Sequence, residues 1–138
     1  MNPQPVVSII INNYNYDRFI NSAIDSALNQ SYSNTEVIVV DDGSTDDSRP
    51  IISGYGDQVI PILKENGGQA SALNAGFKAS TGEIIIFLDA DDYLFPDAVV
   101  QIVAAWKPGL AKLHYRLQII DGVGNVIGDR PGNGVSLD

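Results

Sequence analysis

Residues 36–48 read EVIVVDDGSTDDS. Glu36–Val40 is a continuous β-branched run, the pattern of a strand covered on both faces of a sheet. Asp41 and Asp42 then end the run. Ser44 or Thr45 can cap a helix whose first turn would hold Asp46 and Asp47, placed favourably for the helix dipole. A buried strand that turns through polar residues into a helix is half of a βαβ unit. The fold depends on whether the chain repeats it.

It repeats on both sides. Upstream, Val6–Asn12 is a second buried-strand run, and Asp17 is placed to cap a helix over Arg18–Gln30 with apolar residues at helical spacing. Downstream, a short helix to about Ser53 leads to a strand at Val59–Leu63. The turn Glu65–Gln69 (ENGGQ) follows, then a small-faced helix over Ala70–Ala79 stopped by Gly82. Glu83–Leu88 is the fourth strand, and Pro96 opens a helix to about Trp106. Lys112–Ile120 alternates, and DGVGN at 121–125 reads as a hairpin turn into Val126–Ile127. Right-handed crossovers then give a mainly parallel twisted sheet with helices on both faces, an α/β three-layer fold, plus an antiparallel pair near the C-terminus. One domain is expected over 1–128, with 129–138 an aperiodic, disordered tail.

Composition narrows the chemistry. The 138 residues carry Lys+Arg 8 against Asp+Glu 17, a net charge of −9, which disfavours nucleic acid as a partner. There is no cysteine and one histidine, His114, so thiolate and multi-histidine metal sites are excluded. No segment reaches 18 apolar residues, and a cytoplasmic address is expected, with a longer parent protein peripheral to the membrane.

In such a sheet, ligands bind outside the carboxyl ends of the strands. Four polar clusters fall there: Asn12–Asn15, Asp41–Ser44, Asn66–Gln69 and Asp89–Asp92. Acidic residues after a strand are often caps or solvated turns, which suits Asp46 and Asp47. Asp41 and Asp42 fit that description less well. IIIFLDADDYL (84–94) fits it least, because three carboxylates at one strand mouth in an acidic chain call for a cation. Oxygen-only ligation points to Mg2+ or Mn2+, which would let a diphosphate bind an acidic protein. No GxxxxGK[ST] loop is present, and no GxGxxG follows the first strand. A phospho-acceptor receiver domain is excluded as well, since its acidic pair would follow the first strand and a lysine the last.

VSIIINNYNYDRFINSAIDSALNQSYSNTEVIVVDDGSTDDS and NGGQASALNAGFKASTGEIIIFLDADDYLFPDAV resemble the family 2 glycosyltransferases, in several motifs and in the right order over residues 5–103. The resemblance implies a GT-A (Rossmann-like) fold, a nucleotide-diphospho-sugar donor (foremost a UDP-sugar), a divalent cation, and a carbohydrate or lipid-linked acceptor in polysaccharide or glycoconjugate synthesis. It places Asn12, Tyr14 and Asn15 against the nucleoside and has Asp42 accept from the base with support from Asp41. Gly68 would pass close to the donor. Asp89 would meet the ribose and metal-bound water, Asp91 would ligate the metal directly, and Asp92 would lie behind it or cap a helix. It also implies a catalytic domain that continues further, with the general base of an inverting reaction beyond residue 138. The chain is therefore expected to be a truncated, donor-binding half, inactive alone and prone to self-association. The alternatives are a sugar-1-phosphate nucleotidyltransferase, which would want a glycine-rich basic loop after the first strand, and a non-catalytic nucleotide-binding module.

Overall fold

The computed structural model describes residues 4–107 and, as backbone strands, 113–114, 118–120, 126–129 and 136–137. The chain divides into two compact units, residues 1–101 and 102–138. The first unit is built on four parallel strands: β1 (Val7–Asn13), β2 (Thr35–Asp42), β3 (Ile60–Lys64) and β4 (Ile84–Asp89), in the order β3-β2-β1-β4. Between them run α1 (Ile20–Leu28), α2 (Ser48–Ser53) and α3 (Gln69–Ala79), and α4 (Ala98–Ala105) follows β4.

Strand order determines where a ligand can sit. From β1 the chain steps outward to β2 and β3, so right-handed crossovers put α1 and α2 on one face. From β3 it returns past both to β4, which puts α3 on the other. The direction reverses between β1 and β4, and a crevice opens there at the carboxyl ends of the strands. Register places Asn12 beside Asp89 at that point, with Asn13 beside Asp41 and Asp42 beside Lys64 next along the edge. All four polar clusters therefore do line one edge.

The core explains why the strand runs are continuous rather than alternating. Ile9, Ile10 and Ile11 are all fully buried, because each face of β1 is covered. Each such side chain contributes about 1.5–3 kcal/mol relative to exposure. Under α3, Ile10, Ile38, Val40 and Ala72 form one cluster. Gly76 brings the helix down onto it: a Cβ there would collide with Ile10 Cγ2 and press on Val40. The small face of α3 is thus a close-packing face.

Several boundaries differ from the sequence expectation. α1 begins two residues late, because the Phe19 and Ile20 N–H groups donate to the Tyr16 carbonyl and make a turn first. Asp17 is consequently not its cap; its carboxylate accepts the Asp47 N–H instead. α2 begins at Ser48, so neither Ser44 nor Thr45 caps it, and Asp46 and Asp47 precede its first turn. Asp46 accepts the Ser48 N–H. α3 ends at Ala79, capped by Ser80 in extended backbone, and Gly82 does a different job. Its N–H donates to the Ser8 hydroxyl in a gap too tight for a side chain.

In the second unit, β6 (Gln118–Ile120) pairs antiparallel with β7 (Val126–Asp129), as the hairpin reading requires; the turn at 121–125 lies outside the described residues. β5 (Leu113–His114) pairs antiparallel with β8 (Ser136–Leu137). No helix among the described residues is long and apolar enough to cross a membrane.

Candidate functional site

The loops after β1 and β2 are joined by side-chain hydrogen bonds. Asn13, buried at the end of β1, donates through Nδ2 to Asp41 Oδ1 at 2.9 Å and to Ser44 Oγ at 3.2 Å. Asn15 holds a left-handed backbone with φ 58°, which asparagine tolerates better than most residues. That turn aims its N–H at Ser44 Oγ, 2.9 Å away, and its Oδ1 at the Thr45 N–H, 2.8 Å away. Tyr14, between them, is left exposed.

Asp41 and Asp42 are almost wholly buried, at 0% and 3% exposure. Asp41 accepts from Asn13, from the Ser44 hydroxyl at 2.6 Å and N–H at 3.0 Å, and from Arg49 Nε at 2.8 Å. Asp42 accepts from Lys64 Nζ at 2.7 Å, the Gly67 N–H at 2.9 Å and the Gly68 N–H at 3.0 Å. A longer contact comes from Asn66 Nδ2 at 3.4 Å. Two successive glycine N–H groups form a small anion nest around it. Gly68 can present its N–H this way because it takes φ +94°. Gly43 is equally constrained: at φ +82°, a Cβ would stand 2.6 Å from the Asn66 backbone nitrogen. Glycine there allows the two loops to touch.

These contacts set the carboxyl titrations. Burial pushes Asp41 up, but the donors from Ser44, Arg49 and Asn13 outweigh it and hold it below the usual range. Asp42 behaves alike, burial opposed by Lys64 and the Gly67 and Gly68 N–H groups. Asp46 and Glu36 are also lowered, their hydrogen bonds overcoming burial. A carboxyl with a lowered folded pKa stabilises the fold fully above its unfolded value, near 4. That stability is lost as pH falls through the folded value. The melting temperature is therefore expected to hold from pH 7 to about pH 5 and to fall steeply below about pH 4. Scanning calorimetry across that range checks this; a flat profile down to pH 3 contradicts it.

The third cluster is different in kind. Asp89, Asp91 and Asp92 are all exposed, and one carboxylate oxygen from each lies within 4.8 Å of the others. Gln69 Nε2 stands 3.4 Å from Asp89 Oδ1, and the Asp92 N–H donates to the Asp89 carbonyl at 2.9 Å. Like charges about 4 Å apart repel by about 1 kcal/mol even in water. Three hard oxygen donors gathered at a switch point fit a divalent ion such as Mg2+ or Mn2+.

The site expected from sequence thus separates into two parts. Asp89, Asp91 and Asp92 converge as an open cluster. Asp41 and Asp42 stand along the same edge but are engaged by protein donors. Asn12, beside Asp89, keeps a buried Oδ1 with no partner among the described residues, as does Asn13. Sequence reasoning missed Asn13, Arg49, Lys64 and Asn66 as parts of this network. It also ended β3 at Leu63; β3 in fact ends on Lys64, paired with Asp42.

Comparison with known proteins agrees with this geometry. The sequence model of glycosyl transferase family 2 matches residues 8–118. An uncharacterised glycosyltransferase of Nostoc sp. PCC 7120 is 42% identical over 136 residues, covering 95% of this chain and 42% of that protein. The hyaluronan synthase of Pasteurella multocida is 45% identical over 102 residues, 72% of this chain and 10% of its own length. Among solved structures, a mannosyltransferase of Pyrobaculum calidifontis in complex with GDP-Man and Mn2+ superposes with TM-score 0.69 at 26% identity. It covers 84% of this chain and 36% of that one. The chain spans less than half the length of these relatives. The structural neighbours have the GT-A fold.

Proposed function

The chain belongs to glycosyl transferase family 2, and on that premise we propose that it is the donor-binding part of an inverting, metal-dependent glycosyltransferase. It would bind a nucleotide-diphospho-sugar, foremost a UDP-sugar, for transfer to a carbohydrate or lipid-linked acceptor hydroxyl. The observation that carries this reading is the open cluster of Asp89, Asp91 and Asp92 at the β1–β4 switch point. The family 2 relative that makes hyaluronan supports a role in polysaccharide synthesis, and the mannosyltransferase solved with GDP-Man and Mn2+ supports the donor and metal classes.

In this reading Asp91 is the direct ligand, Asp89 acts through water and the ribose, and Asp92 lies behind them. The divalent ion supplies positive charge between the carboxylates and the diphosphate leaving group. The residues of the chain do the rest. Asn12 and Tyr14 flank the nucleoside, while Asn15 locks the two loops that shape its pocket. Asp41 keeps that lock rigid. A carboxylate has about four lone-pair sites, and four donors occupy those of Asp42. A base N–H would therefore reach Asp42 by displacing the longest contact, from Asn66. Gly68, open above its Cα, lets the donor approach the backbone.

We place the general base outside residues 1–138, in the part of the longer relatives that this chain does not span. The chain alone would then bind donor without completing transfer, and would self-associate through surfaces that the rest covers. A cytoplasmic site of action fits its nucleotide donor. A nucleotidyltransferase would want a basic, glycine-rich loop after β1. That loop has no glycine, and its one cation, Arg18, stacks on the Phe19 ring at 5.5 Å. Calorimetric titration with UDP, GDP and dTDP, each with and without Mn2+, tests the reading. Metal-dependent binding of one of them is expected, and nucleotide binding indifferent to metal overturns it.

A further inference from the structure

The sequence places a serine and a glutamine four residues apart near the end of the first helix, and the structure shows what they hold. Ser26 Oγ donates to the Ala23 carbonyl at 2.8 Å and accepts the Leu94 N–H at 3.0 Å. Gln30 Nε2 donates to the Phe95 carbonyl at 2.8 Å and to the Ser26 carbonyl at 3.0 Å, while its Oε1 accepts the Val99 N–H at 3.0 Å. The Ser31 N–H adds a bond to the Pro96 carbonyl at 2.8 Å. Val99 lies in the first turn of α4, so its N–H has no partner inside its own helix and Gln30 supplies one.

These contacts close one end of the acidic loop. Its upstream end is set by the pairing of Asp89 with Asn12 and by the buried Ala90. Its downstream end is set by the buried Leu94 and by the bonds from Ser26 and Gln30. Between these anchors stand Asp91, Asp92 and Tyr93, all exposed. A loop carrying three like charges tends to spread; the Asp92 N–H bond to the Asp89 carbonyl ties part of it, and the fixed ends limit how far the rest can open.

We propose that Ser26 and Gln30 are positioning residues for the acidic loop, holding its downstream end so that Asp89, Asp91 and Asp92 stay gathered to receive a divalent cation. The proposal rests on the cation reading given above. It extends that reading to two side chains on a different element, neither of which touches the ion. Releasing the clamp leaves the carboxylates free to part, and a binding cation must then regather them.

Two measurements on the whole chain test this: Mn2+ titration followed by electron paramagnetic resonance, and amide hydrogen exchange without metal. Gln30→Ala should weaken Mn2+ binding about tenfold, or about 1.4 kcal/mol. It should also speed exchange at the Leu94 and Val99 amides while leaving those of Ile10 and Val39 protected. Ser26→Ala should act in the same direction, and Ser26→Thr, which keeps the hydroxyl, should restore tight binding. Mn2+ affinity within twofold of wild type in a folded Gln30→Ala protein overturns the proposal, even if exchange is faster. If that variant loses protection at Ile10 and Val39, the Ser26→Ala and Ser26→Thr pair decides by the same criterion. Absence of Mn2+ binding by the wild-type chain would instead overturn the cation reading, and with it the proposal as stated. The exchange data would then still report separately whether Gln30 holds the loop.

Discussion

Asp41→Ala is expected to lower the stability of this chain by about 3 kcal/mol, and Asp41→Asn by nearly as much. The carboxylate is fully buried and accepts four hydrogen bonds, two at each oxygen. Arg49 is 39% exposed and can return to water, so its ion pair contributes little of this loss. The cost comes from Asn13 Nδ2 and the Ser44 donors, which are left facing a cavity or one another at roughly 1–3 kcal/mol for each one stranded. Asparagine rescues them only in part: whichever way its amide turns, the NH2 group faces a donor, Asn13 Nδ2 on one side or the Ser44 N–H on the other. Urea denaturation of the three proteins measures the effect. Because domains are stable by only about 5–15 kcal/mol, the loss should be plain in the midpoint. An Asp41→Asn protein as stable as wild type would show that this carboxylate is not the acceptor that joins the two loops.

Asp91→Ala should have the opposite balance. Removing one of three mutually repelling carboxylates relieves about 1 kcal/mol or less of strain at the surface, so the metal-free protein should melt at the same temperature or slightly higher. Binding should suffer instead. With the direct ligand gone, metal-dependent affinity for a nucleoside diphosphate is expected to fall at least about 100-fold, roughly 2.8 kcal/mol. Affinity without metal should be unchanged, and Asp92→Ala should cost less than Asp91→Ala. Thermal melts and calorimetric titration of the same preparations separate the two effects. A destabilised Asp91→Ala protein with intact Mn2+-dependent binding would make the cluster structural.

The two variants divide along the line between what the sequence discloses and what it hides. Val7–Asn13 and Thr35–Asp42 are legible as strands because β-branched runs buried on both faces have few other homes, and the polar residues that end them must gather at one edge of a parallel sheet. The exposed acidic cluster is legible for a related reason: its residues are contiguous, so no fold can separate them. The network around Asp41 and Asp42 is not contiguous. Lys64 meets Asp42 only through the register of β2 with β3, and Asn15 reaches Ser44 and Thr45 only through a left-handed turn. Asn13 was hidden by its neighbour: alternation sends Asn12 and Asn13 to opposite faces, and only register shows that Asn13 meets Asp41. The helix starts were misjudged by local chemistry that competes with capping. Asp17 and Ser44 are both good caps, yet each is engaged by the other loop.

That division bears on function. The buried pair is tied by its donors, and in the proposed reading the exposed cluster receives the charged ligand. Ser26 and Gln30 hold the cluster's loop in place from behind. Rigidity and exposure thus fall on different residues, which is why stability and binding should respond separately to substitution.

The most direct measurement is diffraction from crystals of this chain grown with UDP and Mn2+, with data collected at the manganese absorption edge. One anomalous peak is expected within coordination distance of an Asp91 carboxylate oxygen and of the diphosphate, at the carboxyl ends of β1 and β4. A diphosphate bound at that edge with no anomalous peak between it and Asp91, or a peak held by other residues, would contradict the central claim.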